Sequence, residues 1–270
     1  MAFYAEELIF GGVSSKNFGL SIYDFDSDRQ ETNGFQEVRT AVEETLLRRY
    51  STYYYGSSQN SQLELTFVLG VCQDRVDENK PLSRHDLEVV SQWLTAKDGY
   101  QYLEIVQDDM REYRYRARVS AIKLVEVYRN DWGIKVTFTC DSPFAYRYPE
   151  RYLYKVTGHA EQQLFSRSTY GGTYWPEIVL TLSSDTNRTV SIRNMNHAGQ
   201  QSMVFENVPT SIHKIYIDTS TKVIYTDSGD DIYPYFNFVY VGLVPGVNTL
   251  VFDGNYEAFF VCEYPVAIGG

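Results

Sequence analysis

From Pro176 onward the chain repeats one pattern. A short run rich in apolar, β-branched or aromatic residues is followed by a turn signal, roughly every ten residues. The runs are Glu177–Leu182, Thr189–Ile192, Ser202–Phe205, His213–Ile217, Lys222–Tyr225, Phe236–Val241, Asn248–Phe252 and Glu257–Cys262. Asp227-Ser228-Gly229-Asp230 and Pro245-Gly246 mark turns between them. Such spacing predicts an antiparallel β-sandwich and needs no helix.

The first half is also mainly β, with one exception. Leu8-Ile9-Phe10 reads as a strand running into a Gly11-Gly12 turn, and Leu20-Ser21-Ile22-Tyr23 as a second strand. Asp24 to Asn33 is polar and acidic and predicts a loop, and Ser51 to Ser61 predicts an exposed loop or long hairpin. Leu63, Leu65, Phe67 and Leu69 alternate onto one strand face. The exception is Ser83 to Ala96. Ser83 and Asp86 have the spacing of a capping box, Leu82 and Leu87 that of a hydrophobic staple. Leu87, Val90 and Leu94 recur with helical period, Val89 and Trp93 widen the stripe, and Asp98-Gly99 is a stop.

Tyr102–Val106 and Arg111–Val127 then read as strands. Tyr113, Tyr115, Ala117, Val119 and Ala121 share one face of the second, and Arg114, Arg116 and Arg118 the other. The apolar positions next shift to Ile122 and Leu124, and again to Val125 and Val127, which predicts bulges. Asp108-Asp109 and Asn130-Asp131-Trp132-Gly133 read as hairpin turns, with a further strand through Ile134, Val136, Phe138 and Cys140. Residues 147–172 read as irregular. The expected organisation is a domain over 1–145, a transition over 146–175 and a second domain over 176–270.

Composition narrows the function classes. Twenty-four Tyr and a 16% aromatic share favour half-buried pleated surfaces and interfaces. The net charge of −11 argues against stable nucleic-acid binding, which needs a basic surface. Acidic residues Glu104, Asp108, Asp109 and Glu112 near the arginine ladder favour a solvated or subunit-facing side over a phosphate site. Cys72, Cys140 and Cys262 are odd in number and widely spaced, so they read as core thiols suited to a reducing cytoplasm. Glu6 and Glu7 do not fit a signal peptide, and no apolar run reaches the roughly 20 residues of a membrane span.

The search for chemistry gives no catalytic or cofactor set. His85, His159, His197 and His213 show no metal-ligand spacing. There is no HExxH, P-loop, GxGxxG or G-x-S-x-G, Lys16 standing where the last would need its second Gly. Asp227, Ser228, Asp230 and Asp231 lack the Gly and Glu of a calcium loop and read as a polar turn. The expectation is a protein without catalytic residues, metal or cofactor.

The order of several short motifs carries a resemblance. Phe10-Gly11-Gly12-Val13-Ser14-Ser15-Lys16-Asn17-Phe18-Gly19-Leu20 opens the chain. The helix ending Ser91-Gln92-Trp93-Leu94 is followed by Asp98-Gly99-Tyr100-Gln101-Tyr102-Leu103. Tyr113-Arg114-Tyr115-Arg116-Ala117-Arg118-Val119 comes next, and Val136-Thr137-Phe138-Thr139-Cys140-Asp141-Ser142-Pro143-Phe144-Ala145 closes the first domain. Leu243-Val244-Pro245-Gly246-Val247-Asn248-Thr249-Leu250 stands near the end. In these features, over nearly its whole length, the chain resembles the distal tail (Dit) proteins of siphophages that infect Gram-positive bacteria.

The resemblance implies a split-barrel-like N-terminal domain with one helix, followed by a galectin-like antiparallel β-sandwich. It implies a structural virion protein, assembled in the host cytoplasm and located at the tail tip. Six copies would form a ring there, joining the tail tube and the tape-measure end to the tail-associated adhesin or lysin. In some relatives an arm inserted in the outer domain holds receptor-binding proteins. The strands between 177 and 262 are too closely spaced to leave room for such an arm. A ring needs two unlike patches that fit each other. The candidates are Tyr53, Tyr54 and Tyr55, and the face of Arg114, Arg116 and Arg118. The net charge adds the expectation of an acidic lumen that does not retain DNA. The alternative class is a carbohydrate-binding or receptor-binding tail module, with Trp175 and Tyr174 as candidate glycan contacts.

Overall fold

The computed structural model describes residues 5–22, 39–44, 53–59, 62–71, 81–127, 130–183, 188–199 and 201–267, with the strands at 39–44 and 53–59 described by backbone alone. Asp24 to Asn33 and Cys72 lie outside these. The chain is mainly β, with one α-helix among the described residues, and divides into two compact units, residues 1–146 with 267–270 and residues 147–266.

The first unit holds β1 (Glu7–Phe10), β2 (Val13–Ser14), β3 (Leu20–Ile22), β4 (Arg39–Glu44), β5 (Tyr53–Gln59) and β6 (Glu64–Val71), then helix α1 (Arg84–Thr95). It continues with β7 (Gln101–Val106), β8 (Tyr113–Val127) and β9 (Asn130–Cys140). Seven of these strands run in the order β2-β1-β7-β8-β9-β6-β3. The Ile22 amide donates to the Glu6 carbonyl at 2.9 Å, so β3, at one end of this path, meets the chain entering β1 near the other. The sheet therefore curls into the expected split barrel. Its inside is filled by Leu8, Phe10, Leu65, Phe67, Leu69, Leu103, Tyr115, Val136 and Phe138, all buried.

Helix α1 begins where the cap chemistry placed it. The Ser83 side chain accepts from the Asp86 amide, and the Asp86 carboxylate accepts from the Ser83 amide at 2.9 Å. Val90 and Leu94 are buried, whereas Val89 is exposed. Trp93 stacks on Phe18 and donates its indole N–H to the Phe10 carbonyl. Both anticipated bulges are present: the β8–β9 register shifts between Val119 and Ala121 and between Val125 and Glu126. One reading is corrected. Asn130–Gly133 is no turn but the start of β9. Gly133 sits opposite Gly70, where an added Cβ would lie 2.4 Å from the Leu69 carbonyl oxygen. Its glycine serves close strand approach.

β10 (Ala145–Arg147) leads into the second unit, which contains β11 (Glu150–Ser166), β12 (Glu177–Leu182), β13 (Val190–Asn194), β14 (Met203–Phe205), β15 (Lys214–Asp218), β16 (Val223–Thr226), β17 (Gly246–Cys262) and β18 (Pro265–Val266). The stretch 146–175, read as a transition, thus contains a strand of 17 residues. Only Val156, Leu164 and Ser166 along it are buried, so its apolar alternation is weak and gives no strand signal. β11 pairs with β17 over its whole length, from Glu150↔Cys262 to Ser166↔Gly246. Asn248–Phe252 and Glu257–Cys262, read as two strands, are one.

Along its other edge β17 changes partner. Residues 250–253 pair with β13 and residues 256–261 with β12. Between them lies Gly254 at φ 121, opposite Gly158 at φ 75. The residues facing inward from both halves, among them Leu250, Phe252, Ala258 and Phe260, belong to one buried cluster. The hairpin therefore folds over at the glycine pair, and its two halves form the two layers of the sandwich. Phe236–Val241 is not a strand. The Tyr233–Tyr235 turn precedes it, and Phe238 takes the left-handed conformation (φ 60) that interrupts an extended run.

Cys140 and Cys262 are buried free thiols, one in each core. Burial, and then the Asp141 carboxylate, pushes the Cys140 thiol up to about 12. Burial pushes Cys262 up to about 12 as well. The protonated thiol is the form the fold favours. Its contribution to stability is complete below the unfolded-state value near 9 and is lost as pH rises from there towards 12. The thermal midpoint is expected to hold steady up to about pH 8.5 and to fall progressively above 9. In a Cys72→Ser background, a thiol reagent should label Cys140 and Cys262 only as the protein unfolds. Labelling as fast in buffer as in urea would contradict the buried placement.

Candidate functional site

The three arginines leave β8 on the barrel's outer face, each in different surroundings. The Arg114 guanidinium lies 3.6 Å above the Tyr102 ring. Arg116 Nε is 3.7 Å from Asp141 Oδ2. Arg118 stands opposite Thr139, which stands opposite Glu64 on β6. Asp141 also accepts from the Tyr146 hydroxyl, which is 2.9 Å from the Ser142 hydroxyl. Ser142 in turn accepts from the Phe144 amide. The Asp-Ser-Pro-Phe phrase is thus a turn whose side chains lock it to the arginine face. Burial, the largest cause, with Asp141 beside it, raises the Tyr146 hydroxyl well above the usual phenol range, so it remains a donor.

Tyr53, Tyr54 and Tyr55 begin β5, which forms a two-stranded ladder with β4 in which Tyr54 faces Glu43 and Tyr53 faces Glu44. The side chains of both strands lie outside the described residues. A surface that sequence reasoning had not singled out lies past the first bulge of β8. β7 pairs with β8 only up to Ala117, while the ladder with β9 runs on to Val127. There Ile122 faces Val136 and Leu124 faces Ile134 across the ladder, yet Ile122 is 37% and Leu124 50% exposed. The signal was in the sequence as the apolar shift after Val119, but exposure follows from where β7 stops.

In the second unit, the two aromatic candidates are engaged. The Tyr174 ring packs on Tyr264, and its hydroxyl accepts from the Glu263 amide at 2.7 Å. Lys222 places its ammonium 3.3 Å from the centre of the Trp175 ring and 4.6 Å from that of Tyr240. The edge of His197 meets Trp175 as well. The Asp227 carboxylate accepts from the His213 and Lys214 amides, and Asp230 joins Ser211 and Ser228, so these acids knit a turn.

The Pro245-Gly246-Val247-Asn248 motif has a physical basis. Asn248 is fully buried. Its carboxamide oxygen accepts from the Val244 amide and from Asn194 Nδ2, both at 2.8 Å. Its amino group donates to the carbonyls of Val244 and Gly246. Asn194 also donates to the Gly242 carbonyl. The pair latches the loop entering β17.

Comparison with known proteins agrees with this architecture. Residues 3–142 match a family model described as a phage tail protein N-terminal domain, and residues 144–262 one described as a phage tail C-terminal domain. No curated protein matches the chain. Among solved structures, the Dit (gp 19.1) protein of phage SPP1, described as a paradigm of the hub adsorption apparatus in phages infecting Gram-positive hosts, is similar in fold. The TM-score is 0.64 at 13% identity, over 96% of this chain and 98% of that one. A chain of the phage P2 baseplate in its activated conformation gives 0.51 at 11% identity, over 94% and 93%. With both of its units matched by the paired models, the chain belongs to this family of two-domain phage tail proteins and has the Dit fold.

Proposed function

We propose that the chain acts as a distal tail protein, forming a six-membered ring at the end of the tail tube through its N-terminal unit. The observation that carries this is the similarity of fold to the SPP1 Dit hub protein across both units and almost all of each chain. The ring connects the tube and the tape-measure end to the adhesion apparatus, and the second unit projects outward. The protein's work is assembly; it needs no catalytic residue and no cofactor.

A heterologous interface requires two different surfaces. One is β8, whose outer face carries the arginines and whose other face, beyond the bulge, leaves Ile122 and Leu124 exposed in line with Val136 and Ile134. Exposed apolar residues on a protruding strand are a liability in a monomer and an asset when a neighbour covers them. The other is the β4–β5 ladder with Tyr53, Tyr54 and Tyr55, which pairs in two strands among the described residues; a ladder of that size is marginal in water and gains from a partner. Native mass spectrometry of the purified chain tests the reading. The parent should show a six-copy species, and Leu124→Asp, which places a charge at a half-exposed position of the contact, should shift it to single chains with the thermal midpoint near the parent's. A parent that stays monomeric at every concentration reached, or a Leu124→Asp variant that assembles equally well, would sink the interface as drawn.

A further inference from the structure

The outer face of the second unit's larger layer is not polar in the way a solvated sheet face is. Following the ladders across five strands, Leu153 of β11 faces Phe259 of β17, which faces Val179 of β12, then Tyr216 of β15, then Tyr225 of β16. One row of outward side chains is therefore apolar or aromatic from edge to edge, about 19 Å at the usual strand spacing. Its two ends are the most open, with Leu153 54% and Tyr225 59% exposed. Tyr216 and Tyr225 stack face to face, 4.7 Å apart and 8° from parallel. β16 closes the strand order, so the far face of the Tyr225 ring turns to solvent.

On one side of the apolar row the following rows are polar and hollow. Lys155, Glu257 and Thr181 stand side by side, and beyond them Thr157 faces Asn255. With Ser183 these residues line an open cleft of about 650 Å³. That is within the range of roughly 300–1,000 Å³ typical of ligand sites. Lys155 and Glu257 pair at 3.1 Å, so beside the apolar Val156 and Leu182 the cleft carries hydroxyl, amide and mutually neutralised charged groups with no excess of either sign.

We propose that this face is a binding site for a neutral oligosaccharide. An apolar row fits the C–H faces of sugar rings, and the neighbouring hydroxyls, amide and ion pair supply donors and acceptors for sugar hydroxyls. The absence of a net sign within the cleft disfavours a phosphate or a cationic ligand. The row is open at both edges, which suits a linear chain. Row and flanks together cover on the order of 300 Å² by strand and residue spacing, well short of the roughly 800 Å² per partner of a stable protein interface. The site is separate from Trp175 and Tyr174 and does not depend on ring formation.

The test is binding of the full chain to a panel of neutral oligosaccharides of at least four units, drawn from α-glucan, β-glucan and N-acetylhexosamine series. At least one series is expected to bind. Thr181→Arg, which fills the cleft from an outward strand position, should weaken binding about tenfold, the effect of losing one well-packed contact. Tyr225→Ser, at the far end of the row, should weaken it by a similar factor, with thermal midpoints of both variants near the parent's. Trp175→Ala should leave it unchanged. Binding to no member of the panel would overturn the proposal, as would binding that ignores both substitutions. Self-association abolished by Leu153→Asp and Tyr225→Ser would overturn it too, by making a second copy the occupant.

Discussion

Asn248→Ala is expected to lower the stability of the C-terminal unit by roughly 3–5 kcal/mol, because it removes four buried hydrogen bonds at once and leaves their partners dry. The Val244 amide, the Val244 and Gly246 carbonyls and Asn194 Nδ2 all lose a partner. Asn194 retains its bond to the Gly242 carbonyl, so the damage centres on the turn entering β17. β17 is the strand to which β11, β12 and β13 all pair, and a loosened start therefore spreads through the sandwich. Scanning calorimetry should show the second unit's transition falling by more than about 10 °C, with the first unit's unmoved. A loss below about 1 kcal/mol would mean the carboxamide is not the latch described.

Gly254→Val should be at least as damaging, and Gly158→Ala directly opposite should not. Gly254 has φ 121, a region costly to any residue with a Cβ, and that Cβ would lie 2.6 Å from the Thr189 carbonyl oxygen and 3.2 Å from Val190 Cα. Backbone strain of about 1–3 kcal/mol adds to a clash that only main-chain movement can relieve. A total of about 4 kcal/mol, or failure of the second unit to fold, is expected. Gly158 sits at φ 75 with nothing within 4 Å of its missing Cβ, so alanine there pays only left-handed strain, about 1–2 kcal/mol. Urea titrations of the two variants, followed by tryptophan fluorescence, compare them. Equal losses would show that the fold-over of the β11–β17 hairpin does not depend on the Gly254 contact.

These two positions also show what could be read from residues alone. Several readings with a local cause held. The Ser83–Asp86 box starts α1, and the shift of apolar positions after Val119 and again near Val125 marks the two bulges. Where the cause was a distant partner, they did not. Asp253-Gly254-Asn255 looks like a turn between two strands. It is the corner of one, because β11 keeps pairing straight through it while β13 gives way to β12 on the other edge. β11 itself was hidden because, lying at the sheet's edge, it buries so few of its side chains. Gly133 looked like turn chemistry and is instead close contact with β6.

The candidate surfaces divide in the same way. That Arg114, Arg116 and Arg118 share a face follows from a period of two and needs no structure. That Ile122 and Leu124 are left uncovered depends on β7 ending its ladder at Ala117. The outward row from Leu153 to Tyr225 depends on five strands in register, drawn from residues more than seventy positions apart, and no window of sequence contains it. Trp175 is a candidate glycan contact by residue type, and the partner that engages it, Lys222, lies far along the chain.

The central claim is that N-terminal units close around an axis with their C-terminal units outside. Electron cryomicroscopy of intact tail particles carrying this chain, averaged over the tail tip, tests it most directly. The expected map shows six copies in one ring, with β8 of each copy beside the β4–β5 ladder of the next and the sandwich on the periphery. A tip holding a lone copy, or a ring whose inner wall is built by residues 147–266, would contradict it.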